Sequence, residues 1–373
     1  MIRDPSPLKK VKKGTFAVLL NINARGVSKK VRNTIGQIVP EEDLFISHSE
    51  LEAETHAYEI IKRRYKGVFS GGGDGSLILL VNLLWKNVIK LNEDMASGSS
   101  ASQSGNHKGT GDMSVEPYRF PFLGILKLGT GNGWASVVGS KKGVEQLKYV
   151  LAGGDLKFTP FDLIFTENRR FHFSGLGWDA AILNDYIDFK KLGNRFPYLK
   201  KYLASLPGYI SSIMIRTIPR EMTKQLFGLK QSRCEIVNRG ARVFRIEGGG
   251  RPVPVRFGRG DRIFSGKVNV VGVATTPNYG FNLKAFPYAM TMPGMMNLRI
   301  IQAGIPELVM NAGPIWNGVY CSPKIHDFLV SDVEIFFSTS MPLQIGGDAE
   351  GMRDYIRYKV VPDAVRTLDF IGW

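Results

Sequence analysis

Within its first 132 residues the chain carries three short apolar runs, and each ends in a turn built from glycine or asparagine. The run ending at Phe69 leads into SGGGDGS, the run ending at Leu20 into NINARG, and the run ending at Lys127 into LGTGN. Apolar spacing reads as strands at Thr15 to Leu20, Leu44 to Ser47, Gly67 to Ser70 and Phe122 to Leu128. It reads as helices at Lys29 to Ile38, Leu51 to Tyr65 and Ser76 to Lys90. Strands alternating with helices imply a parallel sheet covered on both faces. In such a sheet the carboxyl ends of the strands share one edge, and ligands bind there.

The turns suit phosphate. Glycine lets main-chain N–H groups approach an anion closely, and a helix starting near Ser76 aims the positive end of its dipole at it. Neither glycine-rich turn fits GxxxxGK[ST]. In GTGNGWA, Trp134 stands where a dinucleotide fingerprint needs a small residue, and protein-kinase signatures are absent. A carboxylate beside phosphates repels them unless a cation or proton mediates. Asp74 is therefore expected to bind a magnesium ion that bridges the phosphates, or to orient a hydroxyl for attack.

Beyond about residue 156 the pattern changes to short β-rich runs: Phe161 to Thr166, Phe171 to Ser174, Val243 to Glu247, Val253 to Phe257, Val268 to Thr275, Met296 to Gln302 and Val333 to Ser338. These predict an antiparallel β domain with one helical insertion at 179–216. Residues 91–117, rich in Ser, Gly and polar side chains, cannot bury enough surface to offset their ordering and read as a mobile insert. With 373 residues, 43% of them hydrophobic, the chain has room for two packed domains.

Charge and cysteine narrow the setting. Forty-nine Lys and Arg against 33 Asp and Glu give a net charge of +16, which favours polyanions such as anionic membrane surfaces, nucleic acid or phosphorylated substrates. No recognised nucleic-acid module accompanies that charge, so no nucleic-acid partner is expected. Two cysteines, Cys234 and Cys321, indicate no disulfide framework and a reducing, cytoplasmic compartment. The amino-terminal apolar run is too short for a signal peptide, and Leu77 to Ile89 falls short of a membrane span. Membrane contact is then peripheral. The segment 185–210 fits it by interleaving Lys190, Lys191, Arg195, Lys200 and Lys201 with Phe189, Phe196, Tyr198, Tyr202 and Leu203. A core-facing helix with a solvated basic face fits the same pattern. The five histidines show no metal-ligand spacing, and Trp134 reads as packing.

Taken in order, the motifs resemble those of the diacylglycerol kinase catalytic domain family, which includes bacterial lipid kinases and sphingosine kinases. GGDGS at 72–76 is similar to the family's GGDGT, LGTGN at 128–132 to PxGTGN, NINAR at 21–25 to NPxSG, SGLGWDA at 174–180 to GxGxDA, and GGDAEG at 346–351 to its DGE turn. The resemblance implies an α/β nucleotide-binding domain at 14–155, completed by the tail 355–373, and an antiparallel β-sandwich lipid-binding domain at 156–354. It implies ATP and Mg2+ as cofactors and a lipid hydroxyl, of diacylglycerol or of a sphingoid or ceramide type, as acceptor. Carried over by position, Gly72, Gly73, Gly75 and Ser76 surround the nucleotide phosphates. Thr130, Gly131 and Asn132 form a second nucleotide turn, and Asn21 with Arg25 the first. Ser47 contacts nucleotide, and Asp348 or Glu350 serves as general base. The expected enzyme is a lipid kinase at the inner face of the membrane, and a homodimer is compatible with the sequence.

Ile22, Gly133 and Ala349 depart from the family pattern. If the position of Ala349 needs a positive φ, an alanine there strains the turn. These departures leave a second reading, a catalytically silent nucleotide or lipid sensor of the same fold. A third, an NAD kinase, shares GGDG but not the later motifs.

Overall fold

The computed structural model describes residues 15–102, 116–129, 131–141, 144–196, 198, 200–203, 208, 211–212, 215–216, 219, 232–280 and 282–372. The chain forms two compact units, one of residues 1–129, 138–160 and 365–373, the other of 130–137 and 161–364.

The first unit contains strands β1 (Phe16–Asn21), β2 (Leu44–Ser47), β3 (Gly67–Gly72) and β4 (Phe122–Lys127), all pairing in parallel. The end of β16 (Asp348–Asp369) adds a fifth parallel strand through Thr367 opposite Leu123, giving the order β2-β1-β3-β4-β16. Helices α1 (Lys29–Ile38), α2 (Glu50–Lys62) and α3 (Asp74–Ser102) connect the strands. The hydroxyls of Ser28 and Ser49 accept from the N–H groups of Val31 and Glu52 and so fix the starts of α1 and α2. The central strands are enclosed: Val18, Leu20, Val68 and Phe69 are fully buried, as strands covered on both faces must be. Leu80, Val81 and Leu84 bury one side of α3.

Helix α3 departs from the sequence reading at both ends. It starts at Asp74 rather than Ser76, and it continues to Ser102, through the first part of the segment read as a mobile insert. From Asn92 to Ser97 no residue of α3 is buried as Leu91 is, and Asn92 exchanges two hydrogen bonds with the backbone of Tyr118 at 2.7 and 3.0 Å. Of that insert, 103–115 lies outside the described residues.

The second unit is antiparallel and fits the expected β-sandwich. Its strands include β7 (Phe173–Gly177), β9 (Val243–Glu247), β10 (Arg251–Val255), β12 (Val270–Ala274), β13 (Met296–Ile301), β14 (Ile325–Val330) and β15 (Asp332–Ile345), in the order β10-β9-β14-β13-β12-β7-β15. Strand β15 changes neighbours along its length. Its first half pairs with β8 (Arg233–Asn238), which in turn pairs with β11 (Arg262–Lys267), and its last residues pair with β7. Register shifts between Phe336 and Met341 and between Pro342 and Gln344 mark the change, as bulges do where a strand turns a corner. The run read as one strand at 171–174 is two, β6 (Arg169–Phe171) and β7, with β6 returning along β5 (Lys157–Thr166). Within the predicted helical insertion the structure describes α6 (Trp178–Arg195) and α7 (Lys200–Leu203).

A buried ion pair fastens β13 to β14. Arg299 donates from Nε and Nη2 to the two carboxylate oxygens of Asp327, both at 2.9 Å, and from Nη1 to the carbonyl of Ala285 at 2.7 Å. Removing one member leaves a buried charge unpaired. Asp327→Ala is expected to cost about 3–5 kcal/mol of stability, measurable as a lower denaturant midpoint.

Candidate functional site

The first unit places its reversal of strand order between β1 and β3, because β2 lies on one side of β1 and the later strands on the other. The loops at the carboxyl ends of these two strands are the NINARG and SGGGDGS turns. They touch: Asn21 Nδ2 donates to Ser76 Oγ at 2.9 Å, across 55 residues of chain. Asn21 also shapes its own turn, since its Oδ1 accepts from the N–H of Asn23 at 2.9 Å and its carbonyl from the N–H of Ala24 at 3.0 Å. Asn23 extends the network by donating to the carbonyl of His48 at 3.0 Å.

The glycines are explained by space. A Cβ on Gly71 would meet Leu20 Cδ2 at 2.2 Å, and one on Gly72 would meet the Ser76 side chain at 2.5 Å. Around Gly75 a Cβ would meet nothing within 4 Å, so that position is free of packing demands. Asp74 is half-buried and occupies the first turn of α3, where the orphan N–H groups and the helix dipole favour negative charge. It sits at the helix terminus itself and not in the preceding loop. Arg25 is exposed. Ser47 is buried, and its hydroxyl donates to the carbonyl of Leu20 at 3.3 Å, a bond that ties β2 to β1.

Among the described residues, no group of three or more His, Cys, Asp or Glu could hold a metal ion. Magnesium fits nonetheless, because it commonly takes one or two carboxylates and completes its shell with phosphate oxygens and water. Asp74, at a turn opened by glycines, is a donor of that kind.

Of the LGTGN turn, expected to contact nucleotide, Thr130 lies outside the described residues, while Gly131 and Asn132 fall in the second unit. Asn132 has a left-handed φ of 51° and is almost fully buried. Its carbonyl accepts from the N–H and the hydroxyl of Ser136, one turn into α4 (Gly133–Val137). Gly133, where the family pattern often has aspartate, faces the carbonyl of Asn278, which a Cβ would meet at 2.8 Å. Trp134 is fully enclosed, with Phe161 and His172 5.3 and 5.1 Å from its ring.

The GGDAEG segment is a hairpin whose tip is Gly346 and Gly347, with φ of 60° and 93°. Ile345 pairs with Asp348 and Gln344 with Ala349, so the acidic residues lie on strand β16 rather than in the turn. The left-handed conformations fall on Gly346, Gly347 and Gly351, and Ala349 carries none. The strain expected at Ala349 is therefore absent. Asp348 is exposed, whereas Glu350 is held in an ion pair with Arg169.

A site that sequence reasoning missed lies in the same unit. A cavity of about 310 Å³ is walled by apolar residues of α6, β12, β13, α8 (Ile305–Met310) and α9 (Ala312–Trp316), among them Ile182, Val270, Leu308 and Trp316. Asp179 lines it. Tyr279 donates its hydroxyl to Asp179 Oδ1 at 2.7 Å, and Gln344 Nε2 donates to Oδ2 at 2.9 Å. Burial pushes the Asp179 carboxyl above its usual range, against the two hydrogen bonds that lower it. The other end of Gln344 accepts from the N–H of Gly347 at 2.9 Å, and the N–H of Gly346 donates to the carbonyl of Phe173. Hydrogen bonds thus run from the cavity wall through Gln344 to the hairpin that bears Asp348. The glycines of SGLGWDA serve this arrangement: a Cβ on Gly175 would lie 1.7 Å from Asp179 Oδ2, and Gly177 has φ 94° with the carbonyl of Asn269 where its Cβ would be.

A parallel sheet with a reversed strand order, glycine turns at that reversal and an acidic first helical turn place the first unit among the doubly wound α/β domains. Residues 16–161 match the diacylglycerol kinase catalytic domain. A diacylglycerol kinase from Bacillus anthracis str. Sterne shares the fold at 13% identity and a TM-score of 0.57, over 97% of this chain and 98% of that one. A second structure from the same organism, whose diacylglycerol kinase assignment is provisional, aligns at 14% identity and a TM-score of 0.55, over 97% of this chain and 99% of that one. No curated protein sequence matches the chain.

Proposed function

We propose that the protein is an ATP-dependent lipid kinase. The carrying observation is the apolar cavity joined by hydrogen bonds, through Asp179 and Gln344, to the hairpin bearing Asp348, in a chain whose residues 16–161 match the diacylglycerol kinase catalytic domain. An apolar cavity with one polar wall suits an acyl or sphingoid chain carrying a hydroxyl at one end. The acceptor oxygen forms a bond to the γ-phosphorus, the bond from that phosphorus to the β–γ bridging oxygen breaks, ADP leaves, and the hydroxyl proton passes to a carboxylate.

The residues divide accordingly. Asn21, Arg25 and Gly72 to Ser76 serve the nucleotide phosphates, as do Thr130, Gly131 and Asn132. Asp74 holds magnesium, which neutralises charge on the phosphates. Asp348 or Glu350 takes the proton, and Arg169 holds the Glu350 carboxylate in place. Asp179 positions the acceptor. Ser47 donates to the Leu20 carbonyl and keeps its hydroxyl oxygen as an acceptor toward nucleotide.

A peripheral stance at an anionic membrane suits both the charge and the surface. Phe196, Tyr198 and Tyr202 are exposed in the segment 185–210, although Phe189 and Leu203 are buried. No helix among the described residues is long and apolar enough to cross a membrane.

The test is transfer of labelled γ-phosphate from ATP to mixed lipid vesicles containing diacylglycerol, ceramide and a sphingoid base. A labelled lipid dependent on magnesium is the expected result. Binding of ATP without any labelled lipid would favour the silent sensor, and labelling of NAD instead would revive the NAD kinase reading.

A further inference from the structure

The β8 to β11 region carries an excess of charge that the kinase chemistry does not use. Between Arg233 and Lys267 there are nine basic residues against three acidic ones. Arg262 is paired with Glu235 and Arg239 with Glu334. Of the other two acids in that span, Asp261 accepts from the N–H of Gly258 at 2.6 Å, and Glu247 stands opposite Arg251 at the far end of the β9–β10 pair. Arg242, Arg256 and Arg259 remain exposed, and no acidic side chain pairs with them among the described residues.

These three are gathered by the fold. Val243 pairs with Val255 across β9 and β10, so Arg242 and Arg256 stand one residue beyond that pair, on neighbouring chains at the same end of the hairpin. Like charges so placed repel and cost stability, which calls for a compensating ligand. Arg259 is carried by the next turn. There the buried Asn238 side chain donates to the carbonyls of Phe257 and Gly258 at 3.2 and 3.0 Å, and its own carbonyl accepts from the N–H of Gly260 at 2.7 Å. A surface depression of about 320 Å³ lies between the two chains, lined by Arg242, Phe244, Pro254, Arg256 and Phe257.

We infer that this end of the β9–β10 hairpin docks onto an anionic bilayer, with the arginines on lipid phosphates and the apolar lining at the interface. The inference rests on the lipid-kinase reading, which requires the enzyme to reach an acceptor dissolved in a bilayer. Arginine forks match phosphate oxygens, and basic residues flanking apolar surface are what an anionic leaflet attracts. Although β10 is an edge strand, strand addition by a protein partner is disfavoured, because Pro252 and Pro254 deprive it of N–H donors.

The experiment uses the full chain and needs no turnover. Sedimentation with phosphatidylcholine vesicles is compared with that on vesicles also containing phosphatidylglycerol, for the native protein and for the triple variant Arg242→Gln, Arg256→Gln, Arg259→Gln. Binding should require phosphatidylglycerol and fade at high salt. The variant should bind roughly a hundredfold more weakly, with an unchanged melting temperature and unchanged phosphorylation of a short-chain acceptor in neutral detergent. Undiminished vesicle binding by the variant overturns the proposal. So does displacement of the protein from vesicles by millimolar inorganic phosphate, which would make this a soluble-anion site. Preference for duplex DNA over vesicles at equal salt, lost in the variant, would likewise overturn it in favour of nucleic acid. If binding behaves as expected while no lipid is phosphorylated, the docking face stands and the kinase reading falls.

Discussion

Asp74→Asn is expected to abolish phosphoryl transfer, lowering kcat by about a thousandfold or more, while the protein stays folded. Asparagine is isosteric and remains acceptable in the first turn of α3, so the stability change should stay below about 1 kcal/mol, the scale of a lost charge–dipole interaction. What disappears is the anionic oxygen that the proposed function assigns to the cation. The check is a labelled-ATP assay on lipid vesicles, run beside thermal melts. Native turnover in the variant would remove Asp74 from the chemistry. Loss of turnover accompanied by loss of fold would leave its role to nucleotide binding measured on Asp74→Glu, which keeps the charge and should retain affinity.

The first unit was legible because its information is local. The helix Lys29–Ile38 and the strand Leu44–Ser47 have the bounds that their apolar spacing predicts, and each turn at the β1 and β3 ends announces itself by composition. Helix α3 shows where that signal fades. Residues 91–102 (LNEDMASGSSAS) carry hardly any apolar side chains, and periodicity is silent once a helix leaves the core, yet the backbone continues through another three turns.

In the second unit, β8, β11, β14 and β16 were not anticipated. Strand β11 buries only Ile263, and β16 begins with a largely exposed stretch dense in charge, so neither shows the clean alternation of a half-buried strand. The Asp179 cluster was hidden for a different reason. Its partners Tyr279 and Gln344 lie 100 and 165 residues away, and no spacing rule connects them. The one local clue is the glycine pair of SGLGWDA, which clears space for the carboxylate.

Asp179→Asn should disable acceptor use while leaving nucleotide binding intact. Tyr279 and Gln344 both donate to the carboxyl, so a carboxylate can serve both but an asparagine offers one acceptor and turns a donor toward the other. If Gln344 rotates to satisfy the new amide, its carbonyl leaves the N–H of Gly347 and the Asp348 hairpin loosens. Acceptor turnover is therefore expected to drop roughly a hundredfold, with ATP affinity unchanged. The pH dependence of stability separates this positioning role from mere packing. Burial raises the Asp179 carboxyl, so the folded chain keeps that proton to a higher pH than the unfolded chain. Stability then falls as pH rises from the ordinary carboxylate range to the raised value, and levels off above it. Asparagine does not titrate, and the variant should lose that component of the slope. Thermal melts across a pH series, set beside acceptor kinetics, read both effects. A variant with native acceptor kinetics and an unaltered slope would place Asp179 outside the acceptor site.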